Sequence, residues 1–257
     1  MTGDLVSKRF GPPLRVTPDL TENLLLAALA SDVLDHLSRS GNVVPLERRT
    51  ILYDQDDRLT HSFFPLSCVI SFAVVLKDGK SAEIAVFGRE SVAGYLGSVL
   101  GGKAFGRYTV QLPGWALKIP ITDLQEAILG RPEIRRVLEA FSIAFTRQTF
   151  QCVACNACHP IEARCCRWIL TMADRVEGDE VPITHETLAE MLGVQRSTVS
   201  VILRSLQHVR AIEQKRGEII IIDRLALGRR ACECYESIKT NYENWLTDGV
   251  RLGKTRS

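Results

Sequence analysis

Two groups of residues in this 257-residue chain have types and spacings suited to chemistry. The first is Gln195-Arg-Ser-Thr198 with Ser200 and Arg204, followed shortly by Lys215-Arg216. A guanidinium bonds two acceptors on a guanine edge or grips a phosphate, and hydroxyls and carboxamides serve either partner. The second is Cys152, Cys155 and Cys158, a C-x2-C-x2-C run closed by His159. Soft thiolates in such a run suit a thiol switch or a metal site. The run also resembles part of an iron–sulfur ligand set, but residue 162 is Glu and no cysteine-proline completes it. The bland alternative is that small, readily buried cysteines fill a narrow helix seam. His159, with Asn156 beside it, is expected to make a structural hydrogen bond. Cys165-Cys166 and Cys232/Cys234 point in different directions if helical, and meet only through other segments. No C-x-x-C opens a helix after a strand, and there is no nucleophile elbow and no zinc-protease motif, so no enzyme is expected. A thiol-dependent enzyme is the remote alternative.

The elements that must hold the first group are legible locally. The stretch Thr184-His-Glu-Thr-Leu-Ala-Glu-Met-Leu-Gly-Val-Gln-Arg-Ser-Thr-Val-Ser-Val-Ile-Leu-Arg-Ser-Leu206 reads as two short helices around a tight turn. Leu188, Ala189 and Leu192 line one face of the first, and Gly193 ends it. Val199, Ile202, Leu203 and Leu206 recur at spacings of three and four on the second, a stripe for the core. Its other arc carries Arg196, Ser197, Ser200 and Arg204. Such a helix-turn-helix offers its second helix to the DNA major groove. Gln195 and Thr198 lie near that helix's start, where backbone N–H groups favour phosphate. Glu213 to Asp223, with Arg216-Gly217 between short β segments, reads as a wing with Lys215 and Arg216 at its tip.

Upstream, Leu24 to Leu37 is expected to be one helix capped by Thr21. From Val43 short strands take over. Val69–Leu76 and Ala82–Phe87 flank Lys77-Asp-Gly-Lys80, a hairpin signal, and Pro113-Gly114 marks a second turn. After Pro132 the period is helical, and Ile134, Leu138, Phe141, Phe145, Gln148, Cys152, Cys155 and His159 alternate spacings of four and three. That is a coiled-coil dimer seam of Leu138, Phe141, Phe145, Gln148, Cys152 and Cys155; the competing reading is a long helix lying on its own barrel. Pro160 stops it. A helix from Ile161 follows, and a last one from Arg224 carries Cys234, Tyr235, Ile238, Tyr242 and Trp245 on one side. The expected fold class is α+β: arm 1–22, antiparallel β-roll 23–131, dimerisation helix 132–159, winged helix-turn-helix 160–223 and helical extension 224–257.

The composition, 46% hydrophobic and 24% charged with a net charge of +2, is ordinary and does not by itself indicate nucleic acid. Residues 184–230, however, hold eight Lys/Arg against five Asp/Glu, a local excess that favours phosphate. No stretch approaches the ~20 apolar residues of a membrane span, and no secretory signal is read at the start. The eight cysteines are therefore expected in a reducing cytoplasm.

A roll, a long helix and a winged helix-turn-helix in that order resemble the Crp/Fnr family of bacterial transcription regulators. The likeness is sharpest over Ile183–Ser200 and includes Gly88-Arg-Glu90 with Gly94, Asn156 with His159 and Arg164, and Cys232-Glu-Cys-Tyr235. It implies a cytoplasmic homodimer on a pseudo-palindromic double-stranded DNA site, with RNA polymerase as a further partner, no membrane and no resident cofactor. It also implies an effector, here unidentified, whose binding in the roll sets the spacing of two recognition helices. Arg196 matches the family's first recognition arginine. Ser197 and Val201 stand where many members have an acid and a second arginine, so the usual half-site is not expected. In cyclic-nucleotide binders of the family a Gly-Glu pair holds the ribose, which Gly88 and Glu90 match, and an arginine with a small residue after it holds the phosphate. Arg107 matches that arginine, but Tyr108 follows it, so cyclic AMP is not expected to bind.

Overall fold

The computed structural model describes residues 18–254 except 80, 100 and 177. Most of the expected arm thus lies outside the described residues. A 3₁₀ turn, Leu20–Glu22, leads into α1 (Leu24–Ala27) and α2 (Ser31–Arg39). The single helix expected over 24–37 is broken, and Asn23, not Thr21, caps its start. The buried Asn23 Oδ1 accepts the Leu25 and Leu26 N–H groups. Its Nδ2 donates to the carbonyls of Pro65 at 2.9 Å and Ser91 at 3.0 Å. An Asn used on both sides ties the helix start to two loops, which is a long-range constraint that helical spacing does not report.

The roll consists of β1 (Asn42–Leu46), β2 (Ile51–Tyr53), β3 (His61–Pro65), β4 (Val69–Val75), β5 (Ser81–Phe87), α3 (Tyr95–Val99), β6 (Arg107–Leu112) and β7 (Gly114–Pro120). One sheet has the order β1-β7-β3 and is antiparallel; the other is β2-β6-β4-β5. The hairpin read around 77–80 is the β4–β5 pair. The turn at Pro113-Gly114 does a different job: β6 and β7 belong to different sheets, so it carries the chain across the roll. Gly114 fits there because a Cβ would fall 2.6 Å from the Cys68 nitrogen. α4 (Ile121–Gly130) closes this part.

The long helix α5 runs Pro132–Cys158 and stops ahead of Pro160, as proline's missing N–H demands. α6 (Ile161–Ala173), β8 (Glu180–Val181), α7 (His185–Leu192), α8 (Arg196–His208), β9 (Ile212–Lys215) and β10 (Glu218–Ile221) follow. β8, β10 and β9 form a three-stranded antiparallel sheet. α9 (Arg224–Arg230) and α10 (Cys234–Lys254) complete the chain. The tail is thus two helices, not one, and residues 231–233 between them are not helical.

Two compact units form: Met1–Phe72 with Val86–Ser142 and Leu246–Ser257, and Ala73–Ala85 with Ile143–Trp245. The first holds the body of the roll, and the tip of the β4–β5 hairpin belongs to the second. The core of the first gathers Leu25, Leu26, Leu37, Phe64, Ile134, Val137 and Leu138. That packing corrects the seam expected on α5. Leu138, Phe141, Phe145, Gln148, Cys152 and Cys155 are all at most 9% exposed within the single chain. Tyr242 donates a hydrogen bond to Gln148 Oε1, and Asn241 Nδ2 donates to the Ala144 carbonyl at 2.9 Å. The stripe faces its own protomer. The apolar residues that α5 leaves uncovered are Ile143, Phe150 and Val153, at 65%, 70% and 58% exposure.

Candidate nucleic-acid interface

α7 is built from its ends inward. Thr184 Oγ1 accepts the Thr187 N–H at 3.2 Å, and Gly193 closes the helix at φ 68°, ψ 35°, left-handed geometry that glycine adopts without strain. The chain re-enters helix at Arg196. Val199, Leu203 and Leu206 are fully buried and Ile202 nearly so, which pins α8 to the module. On the opposite arc Gln195, Arg196, Ser197 and Arg204 are exposed, and Thr198 and Ser200 half-buried. Arg204 Nε donates to the Ser200 carbonyl at 3.2 Å. Lys215 and Arg216 are exposed where β9 turns into β10, a turn made by Gly217 at φ +83°. The eight residues read as DNA-facing are therefore brought to one module, on α8 and the wing.

One residue passed over by sequence reasoning organises them. His185, the first residue of α7, places Nδ1 2.9 Å from Ser200 Oγ and Nε2 2.8 Å from Gln214 Oε1. Gln214 Nε2 donates to Gln207 Oε1 at 2.9 Å. A single imidazole thus joins the first helix, the recognition helix and the wing. Ser200 Oγ also donates to the Arg196 carbonyl at 3.0 Å, so its hydroxyl is committed to the module's own structure. The local positive charge is likewise trimmed. Arg224 pairs with Asp174 and lies 3.6 Å from Asp179, and Arg230 pairs with Glu162 at 2.8 Å.

Beneath α8, Arg164 Nη2 donates to the Leu192 carbonyl at 3.0 Å. Trp168 Nε1 donates to Glu83 Oε1 at 2.7 Å, and Glu83 comes from β5 near the hairpin turn. The stem of Glu83 is partly exposed, but Oε2 is enclosed without a hydrogen-bond partner. Burial pushes this carboxyl from its ordinary 4.5 up to about 8, against the opposing pull of Trp168, Arg167 and Arg175.

In the roll, the residues read as effector ligands do not form an open anion site. Arg107 is held bidentately by Asp54, through Nη2 at 2.8 Å and Nε at 3.1 Å, and this bond keeps the Asp54 carboxyl below its usual range. Gly88 turns its carbonyl to Ser91, accepting from Oγ at 2.8 Å. Glu90 is half-buried nearby in sequence. Tyr108 points inward, 3% exposed, with ring centroids 4.9 Å from Phe72, 5.7 Å from Phe87 and 6.1 Å from Tyr53. Tyr53 continues to Phe63 on the other sheet. Aromatic rings bridge the two sheets.

The cysteines regroup. Cys152 is buried and its thiol is pushed up to about 11 by burial; Cys158 is exposed and stands apart. Cys155 instead meets Cys232, Cys234 and His159, with all four ligand-type atoms within 4.8 Å of one another. A hydrogen bond from Cys232 pulls the Cys155 thiol well below the usual range, assisted by the Arg167 charge. The non-helical break at 231–233 is what lets Cys232 and Cys234 converge.

A wing, an exposed helix backed by core residues and an upstream β-roll define a winged helix-turn-helix fold joined to a roll. Residues 163–230 match the Crp-like helix-turn-helix domain family. The chain is 22% identical to the "Global nitrogen regulator" of Nostoc sp. over 198 residues, spanning 73% of this chain and 88% of that one. A protein of the same description from Synechococcus elongatus is 22% identical over 195 residues, 72% of this chain and 87% of its own. Among solved structures, FixK2 from Bradyrhizobium japonicum aligns with TM-score 0.64 at 15% identity, over 75% of this chain and 98% of that one. A putative Crp/Fnr-family regulator from Eubacterium rectale aligns with TM-score 0.64 at 15% identity, over 82% and 98%. Residues 163–230 thus match a Crp-like helix-turn-helix domain, and most of the chain shares the fold of these solved structures.

Proposed function

We propose that this protein is a homodimeric, sequence-selective transcription regulator in which Arg196 reads a base edge while Gln195, Ser197, Thr198, Arg204, Lys215 and Arg216 set register on the backbone. Ser200 serves from behind, through His185. The observation that supports this most strongly is the outward arc of α8: Arg196 is exposed on a helix whose reverse is fully buried. Two such helices reach successive major grooves when about 34 Å apart, so the target is a pseudo-palindrome in cytoplasmic double-stranded DNA, with RNA polymerase as the downstream partner. Selection of bound sequences from random DNA tests this. We expect a two-fold symmetric consensus, and Arg196→Ala should lose about 5- to 160-fold in selective affinity, the equivalent of ~1–3 kcal/mol, while remaining dimeric. A variant that falls apart into monomers, or that reads the same consensus equally well, overturns the assignment.

Dimerisation uses the uncovered stripe Ile143, Phe150 and Val153 on α5, at spacings of seven and three. Phe150 also lines a groove of about 710 Å³ between α5 and α10, together with Gln151, Ser237 and Asn241. Phe150→Glu should give a monomer by sedimentation, with operator affinity falling at least tenfold.

An effector acts by population shift between two arrangements separated by a few kcal/mol. The route is the β4–β5 hairpin: its strands are part of the roll's sheet, and Glu83 of β5 holds Trp168 of α6. Cyclic AMP is not that effector, since Tyr108 and its aromatic neighbours fill the space between the sheets and Arg107 is committed to Asp54.

A further inference from the structure

We propose that Cys155, His159, Cys232 and Cys234 form a closed Cys3His site for a single thiophilic divalent ion, zinc in kind, which staples the base of the DNA-binding module. This site is independent of what the module binds. Three chain segments contribute: the end of α5, the turn before Pro160 and the break between α9 and α10. Cys155 Sγ and Cys232 Sγ are 3.5 Å apart, as are Cys234 Sγ and His159 Nδ1. A tetrahedron with sulfur at about 2.3 Å and nitrogen at about 2.0 Å from one ion has edges of roughly 3.5–3.8 Å. The four ligand-type atoms, all within 4.8 Å of one another, are close to that. An iron–sulfur cluster spreads its protein ligands over two or four irons, so it cannot hold all four of these atoms as close together as one ion can. Four protein ligands leave no open position, which marks a structural ion and not a catalytic one.

The surroundings match what such an ion needs. His159 turns Nδ1 to the sulfurs, and its Nε2 lies 3.1 Å from Glu233 Oε1. A ligating histidine whose other nitrogen donates to a carboxylate is the usual outer-shell arrangement around zinc. Gln151 Nε2 donates to Cys234 Sγ at 3.0 Å, a bond that suits a thiolate. Binding Zn²⁺ to three thiols and a neutral imidazole releases three protons and leaves one negative charge. The buried Arg167 guanidinium, whose field acts on Cys155 and Cys232, balances it. Cys155 and Cys232 are 77 positions apart, so the ion closes a loop containing α6, α7, α8 and the wing.

Elemental analysis of reduced full-length protein, purified without added metal, tests this. We expect one zinc per chain, retained in Cys158→Ser and reduced at least tenfold in Cys232→Ser/Cys234→Ser. Because that double variant is at risk of misfolding, chelated wild-type protein is also titrated with Co²⁺. We expect one equivalent to bind, with thiolate-to-cobalt charge transfer and the visible bands of a tetrahedral site. Folded, reduced apo-protein that takes up no Co²⁺ overturns the proposal. So does stoichiometric zinc retained in the double variant, or a Cys155–Cys232 disulfide in freshly isolated protein. None of these readouts involves DNA, so they leave the regulator reading untouched.

Discussion

Two arginines in this chain, Arg196 and Arg107, are each spaced to meet an anion, and the fold treats them in opposite ways. Arg196 stands exposed at the start of α8, with no ion pair among the described residues. Arg107 is gripped through Nε and Nη2 by Asp54, an acid 53 positions away. The same contrast holds for the regions around them. The recognition arc faces outward from a helix anchored by four aliphatic residues, whereas the corresponding part of the roll is packed with rings. An arginine's availability is decided by acids brought in through tertiary structure, and the local motif does not register them.

The contrast can be broken most sharply at Tyr108. Tyr108→Ala should cost about 3–5 kcal/mol of stability by opening a cavity among Phe72, Phe87 and Tyr53. A variant of near wild-type melting temperature that gains cyclic AMP binding would show the roll to be a blocked pocket and not a filled core.

Glu83→Gln sharpens it at the next scale. The folded carboxyl is raised to about 8 from an ordinary 4.5. Between those values the native state holds a proton that the unfolded chain releases, so stability is greatest at the acid end and falls as pH rises through about 8. The amide can still accept from Trp168 and never ionises. Its melting temperature should therefore exceed the wild type's by the equivalent of about 1–3 kcal/mol at pH 8, with the difference closing towards pH 5. Parallel curves for the two proteins between pH 5 and 9 would mean that Glu83 is solvated.

The smallest effect belongs to Arg107→Ala. Its pair with Asp54 is partly exposed, so the loss should be below about 1 kcal/mol, with operator affinity unchanged. A tenfold change in operator affinity would return Arg107 to the list of effector ligands.

What was legible beforehand tracks how local each signal is. The helix-turn-helix was readable because Val199, Ile202, Leu203 and Leu206, the Gly193 turn and the Thr184 cap all lie within one short stretch. On α5 the heptad pattern alone is ambiguous. Two adjacent stripes of that helix, one through Phe141 and Phe145 and the other through Ile143, Phe150 and Val153, both repeat at heptad spacing, and only the packing shows which one is already covered. The Cys155–Cys232–Cys234 meeting depends on the break between the two tail helices. The interruption at 231–233 carries no proline or glycine to announce it. His185 carries no local signal of its role, because its partners, Ser200 and Gln214, are 15 and 29 positions further on.

That histidine has a consequence for control. By hydrogen-bonding α7 to α8 and to the wing, it ties the three elements into one block. On the regulator reading proposed above, a signal would alter where the block is delivered, and how often, without rewriting the bases it prefers.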